Sequence, residues 1–191
     1  MDKNHFYWLK IGLFCLVLVI FDQITKYLAY WGLSAKSVLS GDDKKVILIK
    51  NIVSFEYLQG GNTGAAWGIL QGQKILFIII TIVAIVVIFK ILSNIRKMYK
   101  TNISLNPAIT AVKYLLVVLM AGAIGNVIDR IIYGSVVDFI KFEFIKFPIF
   151  NVADMFVTCS CIAIIFLCMF KISGQEFSQI FDFSLNKNGK I

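Results

Sequence analysis

Apolar and polar positions along this chain fall into long blocks, and the blocks set the expected architecture. The first apolar block runs from about Phe6 to Trp31, and Ile11–Phe21 is unbroken. Phe6, Tyr7 and Trp8 bracket it at one end, and Tyr27, Tyr30 and Trp31 at the other. At ~1.5 Å of rise per residue the brackets stand roughly 33 Å apart, which matches the two interfacial belts of a bilayer. The second block spans about Gln73 to Leu92, and Ile75–Phe89 is wholly apolar except for Thr81. The third starts near Pro107, a good helix-opening residue, and continues to about Ile132. The fourth runs from about Ala153 to Ile172. The pattern predicts an all-α membrane protein with four transmembrane helices, at about 8–29, 73–92, 108–129 and 154–172. They form one domain over residues 1–172, followed by a polar tail, 173–191, that is expected to fray.

A cleaved signal peptide would have a shorter apolar core and a small-residue cleavage site. The first block instead continues through Asp22 and Lys26, so a retained helix is expected. Four spans put both termini on one side. Total Lys and Arg counts do not decide which side, but their density does. Lys90, Arg96, Lys97, Lys100 and Lys113 crowd one short connection that contains no acid, which places it and both termini in the cytoplasm. In the other two connections Val53–Tyr57 and Lys141–Phe144 alternate apolar and polar residues, the period of strands, so small β elements are expected on the outer face.

Composition narrows the function classes. Of 191 residues, 59% are hydrophobic and 16% charged, away from the balance of a soluble domain. The net charge of +8 would suit nucleic acid or an anionic lipid surface. The basic residues lie at the edges of apolar blocks and no nucleic-acid motif is present, which favours lipid. Cys15, Cys159, Cys161 and Cys168 all lie inside apolar segments and read as small buried residues rather than a disulfide framework. His5 is the single histidine, so a zinc site of the HExxH type and a His-based triad are excluded within this chain, and no cofactor or metal is expected.

The polar residues that interrupt the apolar blocks carry the candidate chemistry. Asp22 and Lys26 sit four apart on one face of the first helix. Asn126, Asp129 and Arg130 lie at the outer end of the third, Asn151 and Asp154 open the fourth, and Asn62-Thr63-Gly64 precedes the second. Asp138 lies in the outer connection between the third and fourth. Ionisable groups at membrane depth are costly and mark either a site or an internal pair. Simpler roles are open to most of them: Asp22 with Lys26, and Asp129 with Arg130, as ion pairs, and Asn151 with Asp154 as caps of a helix N-terminus. Asp138 follows Val136-Val137 and precedes Phe139-Ile140, an apolar setting that raises a carboxyl pKa, and it has no local capping task. Two acids in a partly dry layer share a proton, so one can take a proton from water while the other donates to a scissile carbonyl or amine. A transporter relaying protons through Asp22, Asp129, Asp138 and Asp154 is the rival, but it should show inverted repeats or broken paired helices, and neither is visible.

Five short motifs occur in order: Asp22-Gln23-Ile24-Thr25-Lys26, Asn62-Thr63-Gly64-Ala65-Ala66-Trp67, Gly122-Ala123-Ile124-Gly125-Asn126-Val127-Ile128-Asp129-Arg130, Val136-Val137-Asp138-Phe139 and Phe150-Asn151-Val152-Ala153-Asp154. Together they resemble the motif set of the lipoprotein signal peptidases (signal peptidase II). The resemblance implies a bacterial inner-membrane aspartyl peptidase that cleaves prolipoprotein signal peptides just before a cysteine carrying a diacylglyceryl group. It implies Asp138 and Asp154 as the catalytic pair, and Asp22, Lys26, Asn62, Gly64, Asn126, Asp129, Arg130 and Asn151 as residues that orient substrate. The implied partners are prolipoproteins and membrane lipid.

The expected sidedness has a direct check. A membrane-impermeant thiol reagent applied to intact cells should label Asp43→Cys and spare Lys97→Cys. The reverse pattern would invert the topology.

Overall fold

The computed structural model describes residues 3–40, 45–58, 60–64, 70–101 and 106–184. Along the chain run α1 (Lys3–Ser40), β1 (Lys45–Ile49), β2 (Val53–Glu56), α2 (Lys74–Thr101), α3 (Pro107–Tyr133), β3 (Ile140–Phe142), α4 (Val152–Phe170) and α5 (Gly174–Ile180). The four long helices α1 to α4 each contain a stretch long and apolar enough to cross a membrane.

The helices outrun the apolar blocks that predict them. α2 continues to Thr101 through Asn94-Ile95-Arg96-Lys97-Met98-Tyr99-Lys100, where polar helix formers keep the backbone helical after the hydropathy signal has faded. Most large apolar side chains of the bundle point outward, Leu13, Leu16, Val17, Ile20, Ile79, Ile82, Val83, Val86, Ile162 and Ile165 among them, as expected for lipid-facing surfaces. The inward stripe of α1 is Ile11, Cys15, Val19, Asp22, Lys26, Ala29 and Leu33, spaced three or four apart, so one helical face turns from apolar to charged toward its C-terminal half.

α3 packs against α1, α2 and α4 and forms the centre of the bundle. Small residues bring it close to α4: a Cβ at Gly122 would lie 2.5 Å from the Ala153 carbonyl oxygen and 3.0 Å from the Phe156 Cβ. Asn106 caps α3 by accepting the Ala108 N–H, Pro107 follows as the first helical residue, and Gly134 ends the helix in the left-handed conformation.

The two expected β elements, β2 and β3, lie in one antiparallel sheet of order β1-β2-β3, in which β1 is a strand that the alternation did not predict. β2 pairs with β3 through Val53↔Phe142 and Phe55↔Ile140, and Lys141 and Lys45 make cross-strand ion pairs with Glu56 and Glu143. Isolated bridges Asn62↔Val136 and Ile140↔Phe150 extend the pairing. The sheet therefore fastens the connection before α2 to the connection between α3 and α4, which brings Asn62 to Asp138.

The tail departs from expectation. Residues 174–180 form α5, opened by a capping box between Ser173 and Glu176, and Ile180 is fully buried in the main apolar core. Buried Asn94 of α2 donates to the Ile180 and Asp182 carbonyl oxygens at 3.1 and 2.8 Å. One apolar anchor and one paired amide offset the entropy that would otherwise leave so short a helix frayed. Residues 185–191 of the tail, and Asp43 of the labelling experiment, lie outside the described residues. Ile180→Ala should lower the unfolding free energy of detergent-solubilised protein by roughly 2–5 kcal/mol, read from a denaturant titration. An unchanged midpoint would mean that α5 is not part of the folded unit.

Candidate active site

The polar layer lies where the C-terminal parts of α1 and α3 and the N-terminus of α4 meet the sheet. Asp138 hangs from the connection between α3 and β3 and is 1% exposed. Its two oxygens accept from Asn151 Nδ2 at 2.6 Å and Asn62 Nδ2 at 2.9 Å. The Val136–Asn62 bridge, with hydrogen bonds of 2.8 and 2.9 Å, fixes the backbone on either side of this contact.

Asp154 occupies the first turn of α4. Asn151 Oδ1 accepts the Asp154 N–H at 2.9 Å and Asp154 Oδ2 accepts the Asn151 N–H at 3.2 Å, a reciprocal capping box. The other carboxylate oxygen accepts from Asn126 Nδ2 at 2.8 Å. Asn126 Oδ1 in turn accepts from Asn151 Nδ2 at 3.1 Å. The two acids are thus connected through two amides, and the cap and the site use the same residues. Asp138 is sealed and Asp154 is half-exposed, so only one carboxyl of the pair meets solvent. Burial, and then the negative charge of Asp154, push the Asp138 carboxyl up to about 7; the Asn62 and Asn151 hydrogen bonds and the Lys26 charge act in the opposite direction.

Asp22, Lys26 and Asp129 form a buried cluster. Lys26 Nζ lies 2.9 Å from Asp22 Oδ2 and 3.0 Å from Asp129 Oδ2. The open alternative of an Asp129–Arg130 ion pair is not realised: among the described residues Asp129 pairs with Lys26. One residue apart on a helix, Asp129 and Arg130 diverge. Arg130 donates instead to the Gly64 carbonyl oxygen at 2.9 Å and the Asn126 carbonyl oxygen at 3.3 Å, with its guanidinium 4.4 Å over the Phe77 ring. Among the described residues its buried Nε has no hydrogen-bond partner. Asn62 Oδ1 accepts the Gly64 N–H at 2.9 Å, which shapes the turn that presents that carbonyl. Residues 65–69, which include Ala65, Ala66 and Trp67 of the second motif, lie outside the described residues.

All ten candidate residues gather in this layer, and Gln23 joins them unanticipated. Its amide donates to Asp129 Oδ1 at 3.0 Å and the Gly125 carbonyl at 3.2 Å. A second long-range contact equally escapes sequence reasoning: Asp22 Oδ1 accepts the Ala153 N–H at 2.9 Å. Gly125 is required beside it, because a Cβ there would collide with the Asp22 carboxylate. The signal for Gln23 was its polarity within an apolar block; nothing local marked Gly125 as the point where α1 and α4 converge.

A family model described as Signal peptidase (SPase) II matches residues 14–170. The chain belongs to the signal peptidase II family. It is 40% identical over 167 residues to the lipoprotein signal peptidase of Clostridium tetani, covering 85% of this chain and 94% of that protein. Over 183 residues it is 36% identical to the lipoprotein signal peptidase of a Staphylococcus aureus strain, covering 94% and 99%. Its fold is similar to that of a bacterial membrane enzyme solved by the in meso method at 2.3 Å, with a TM-score of 0.59, 33% identity, and coverage of 84% and 87%. The chain is therefore a peptidase and a multi-pass membrane protein, with the four helices and small sheet expected of it.

Arg130→Lys keeps the charge but loses the planar fork that reaches Gly64 and stacks on Phe77. Peptide release by the folded variant should fall on the order of a hundredfold. Turnover near that of the wild type would reduce Arg130 to a structural cation.

Proposed function

We propose that this protein is an aspartyl endopeptidase of the bacterial cytoplasmic membrane, with both termini inside and its site on the outer side. It removes signal peptides from prolipoproteins, cutting just before the diacylglyceryl-modified cysteine. Asp138 and Asp154 are the catalytic pair. The observation that carries this reading is the amide-linked pair itself: one carboxyl sealed and biased toward its protonated form, the other half-open at a helix N-terminus.

The chemistry follows from that asymmetry. Ionised Asp154 takes a proton from water as the oxygen bonds to the scissile carbonyl carbon, and protonated Asp138 gives its proton to the carbonyl oxygen. As the tetrahedral intermediate collapses, the C–N bond breaks. Asp154 passes its proton to the leaving amine, and Asp138 recovers one from the hydroxyl. No electrons are exchanged and the dyad ends as it began. Asn126, Asn151 and Asn62 hold the two carboxyls in register. Arg130, whose planar guanidinium lies over Phe77 beside the Gly64 carbonyl, is suited to orient a carbonyl of the substrate strand.

Lipid modification fits the level of the site. The pair sits where lipid-facing helices give way to the sheet, so acyl chains resting in the bilayer would hold a modified cysteine at this depth without a deep protein pocket. The names of the relatives, lipoprotein signal peptidases, support the substrate class.

Asn is nearly isosteric with Asp and cannot exchange the proton. Asp138→Asn and Asp154→Asn should each reduce cleavage of a diacylglyceryl-modified prolipoprotein by about three orders of magnitude or more. The double variant should be scarcely worse than either single one, because the two act as a unit. Substantial activity in a folded single variant, or losses that simply multiply, would contradict the dyad.

A further inference from the structure

Three hydrogen bonds converge on one ammonium group. Lys26 Nζ lies 2.9 Å from Asp22 Oδ2, 3.0 Å from Asp129 Oδ2 and 3.0 Å from Asn126 Oδ1. An ammonium has three donors, and here each has its acceptor. Each acceptor has a second task at the dyad. Asp22 Oδ1 accepts the N–H of Ala153, the residue before Asp154. Asp129 Oδ2 also accepts the N–H of Val137, the residue before Asp138, at 3.1 Å. Asn126, with its Oδ1 turned to Lys26, presents Nδ2 to Asp154.

The side chains of Lys26, Asp22 and Asp129 are 3%, 0% and 1% exposed. With all three of its donors taken by protein acceptors, the Lys26 ammonium has none left for a substrate. We propose that Lys26 is a positioning residue that ties the backbone segments carrying the two catalytic carboxyls to a single point, fixing their separation and the orientation of the Asn126 amide between them. It rests on Asp138 and Asp154 being the catalytic pair, and moves Asp22, Lys26 and Asp129 from orienting substrate to orienting the catalytic groups.

The same ammonium acts on the dyad through space. The charged groups facing Asp138 are Asp154 from α4, Lys26 from α1 and Arg130 from α3, with Asp129 behind the Val137 amide and Asn62 and Asn151 as neutral donors. Lys26 favours the ionised form of Asp138, so its removal would hold the Asp138 proton to higher pH. The basic limb of the activity profile, where the shared proton is lost, would move up.

The test compares Lys26→Met and Lys26→Arg in the full-length protein, reconstituted in lipid nanodiscs and supplied with a diacylglyceryl-modified prolipoprotein. Met matches the length of the lysine stem without charge or donors. For Lys26→Met we expect kcat to fall at least about tenfold with KM within about twofold, and the basic limb to rise by about half a pH unit or more. The position of a limb does not depend on how much enzyme is folded, so it separates positioning from simple loss of stability. Lys26→Arg keeps the charge but presents a planar fork, so kcat should fall while the limb stays at its wild-type position. If Lys26→Met does not accumulate, Lys26→Arg decides, and a wild-type kcat there overturns the proposal. A Lys26→Met profile superimposable on that of the wild type, or a loss confined to KM, also overturns it. Asp138→Asn run in parallel distinguishes the two levels. If it is inactive while Lys26→Met superimposes on wild type, only the role of Lys26 is lost; if it remains active, the dyad beneath it is wrong.

Discussion

A charge carried into a bilayer on a helix has to be answered by the protein that carries it, because lipid offers no compensating dipoles. Here that requirement falls on α1, whose inward stripe changes from Ile11, Cys15 and Val19 to Asp22 and Lys26. Lys26 is answered by its own helix through Asp22 and by α3 through Asp129 and Asn126. Asp22 is answered by Lys26 and by the first turn of α4. Breaking such a buried set by removing one member leaves uncompensated charge, so the helices that share it are held in one mutual arrangement. Apolar packing against lipid could not do this, since a leucine facing lipid is nearly as well solvated as one facing another helix.

That arrangement gives two aspartates different surroundings. Asp138 arrives on an irregular connection stapled by the Asn62–Val136 bridge and lies beneath the sheet. Asp154 arrives on a helix N-terminus and stays half-open. Irregular backbone is tolerated here because its groups are paired: Val137 N–H to Asp129, Asn62 N–H to Val136 and Phe139 N–H to Phe150. The small antiparallel sheet is thus more than an outer decoration. It brings the asparagine from before α2 to the carboxyl from after α3, residues 76 apart in sequence.

Much of this was legible from sequence because it depends on local pattern. Hydropathy blocks located the four spans, and alternation located β2 and β3 within a residue or two. The polar residues at the outer ends of the blocks outlined the site. What sequence left open was the choice among partners. Asp129 stands beside Arg130 in the chain yet pairs with Lys26, because adjacent residues on a helix diverge while a residue on a neighbouring helix can face inward at the same depth. Asn151 and Asp154 read equally as a cap and as a site, and the structure uses them for a cap that is also connected to Asp138. The expected fraying of the tail does not occur over α5, a helix too short for its periodicity to show in sequence. Its anchor, Ile180, is recognisable only once Asn94 of α2 is found beside it.

The central claim is that the two carboxyls are electrostatically one unit, with Asp138 kept protonated by burial and by the charge of Asp154. Infrared difference spectroscopy of the reconstituted protein across pH tests this most directly, with the protonated-carboxyl band of Asp138 assigned by its absence in Asp138→Asn. In the wild type that band should titrate near 7, and in Asp154→Asn its midpoint should move to lower pH because the neighbouring negative charge is gone. Titration near the ordinary carboxyl value of 3.8 in the wild type, or a midpoint indifferent to Asp154, would contradict the account.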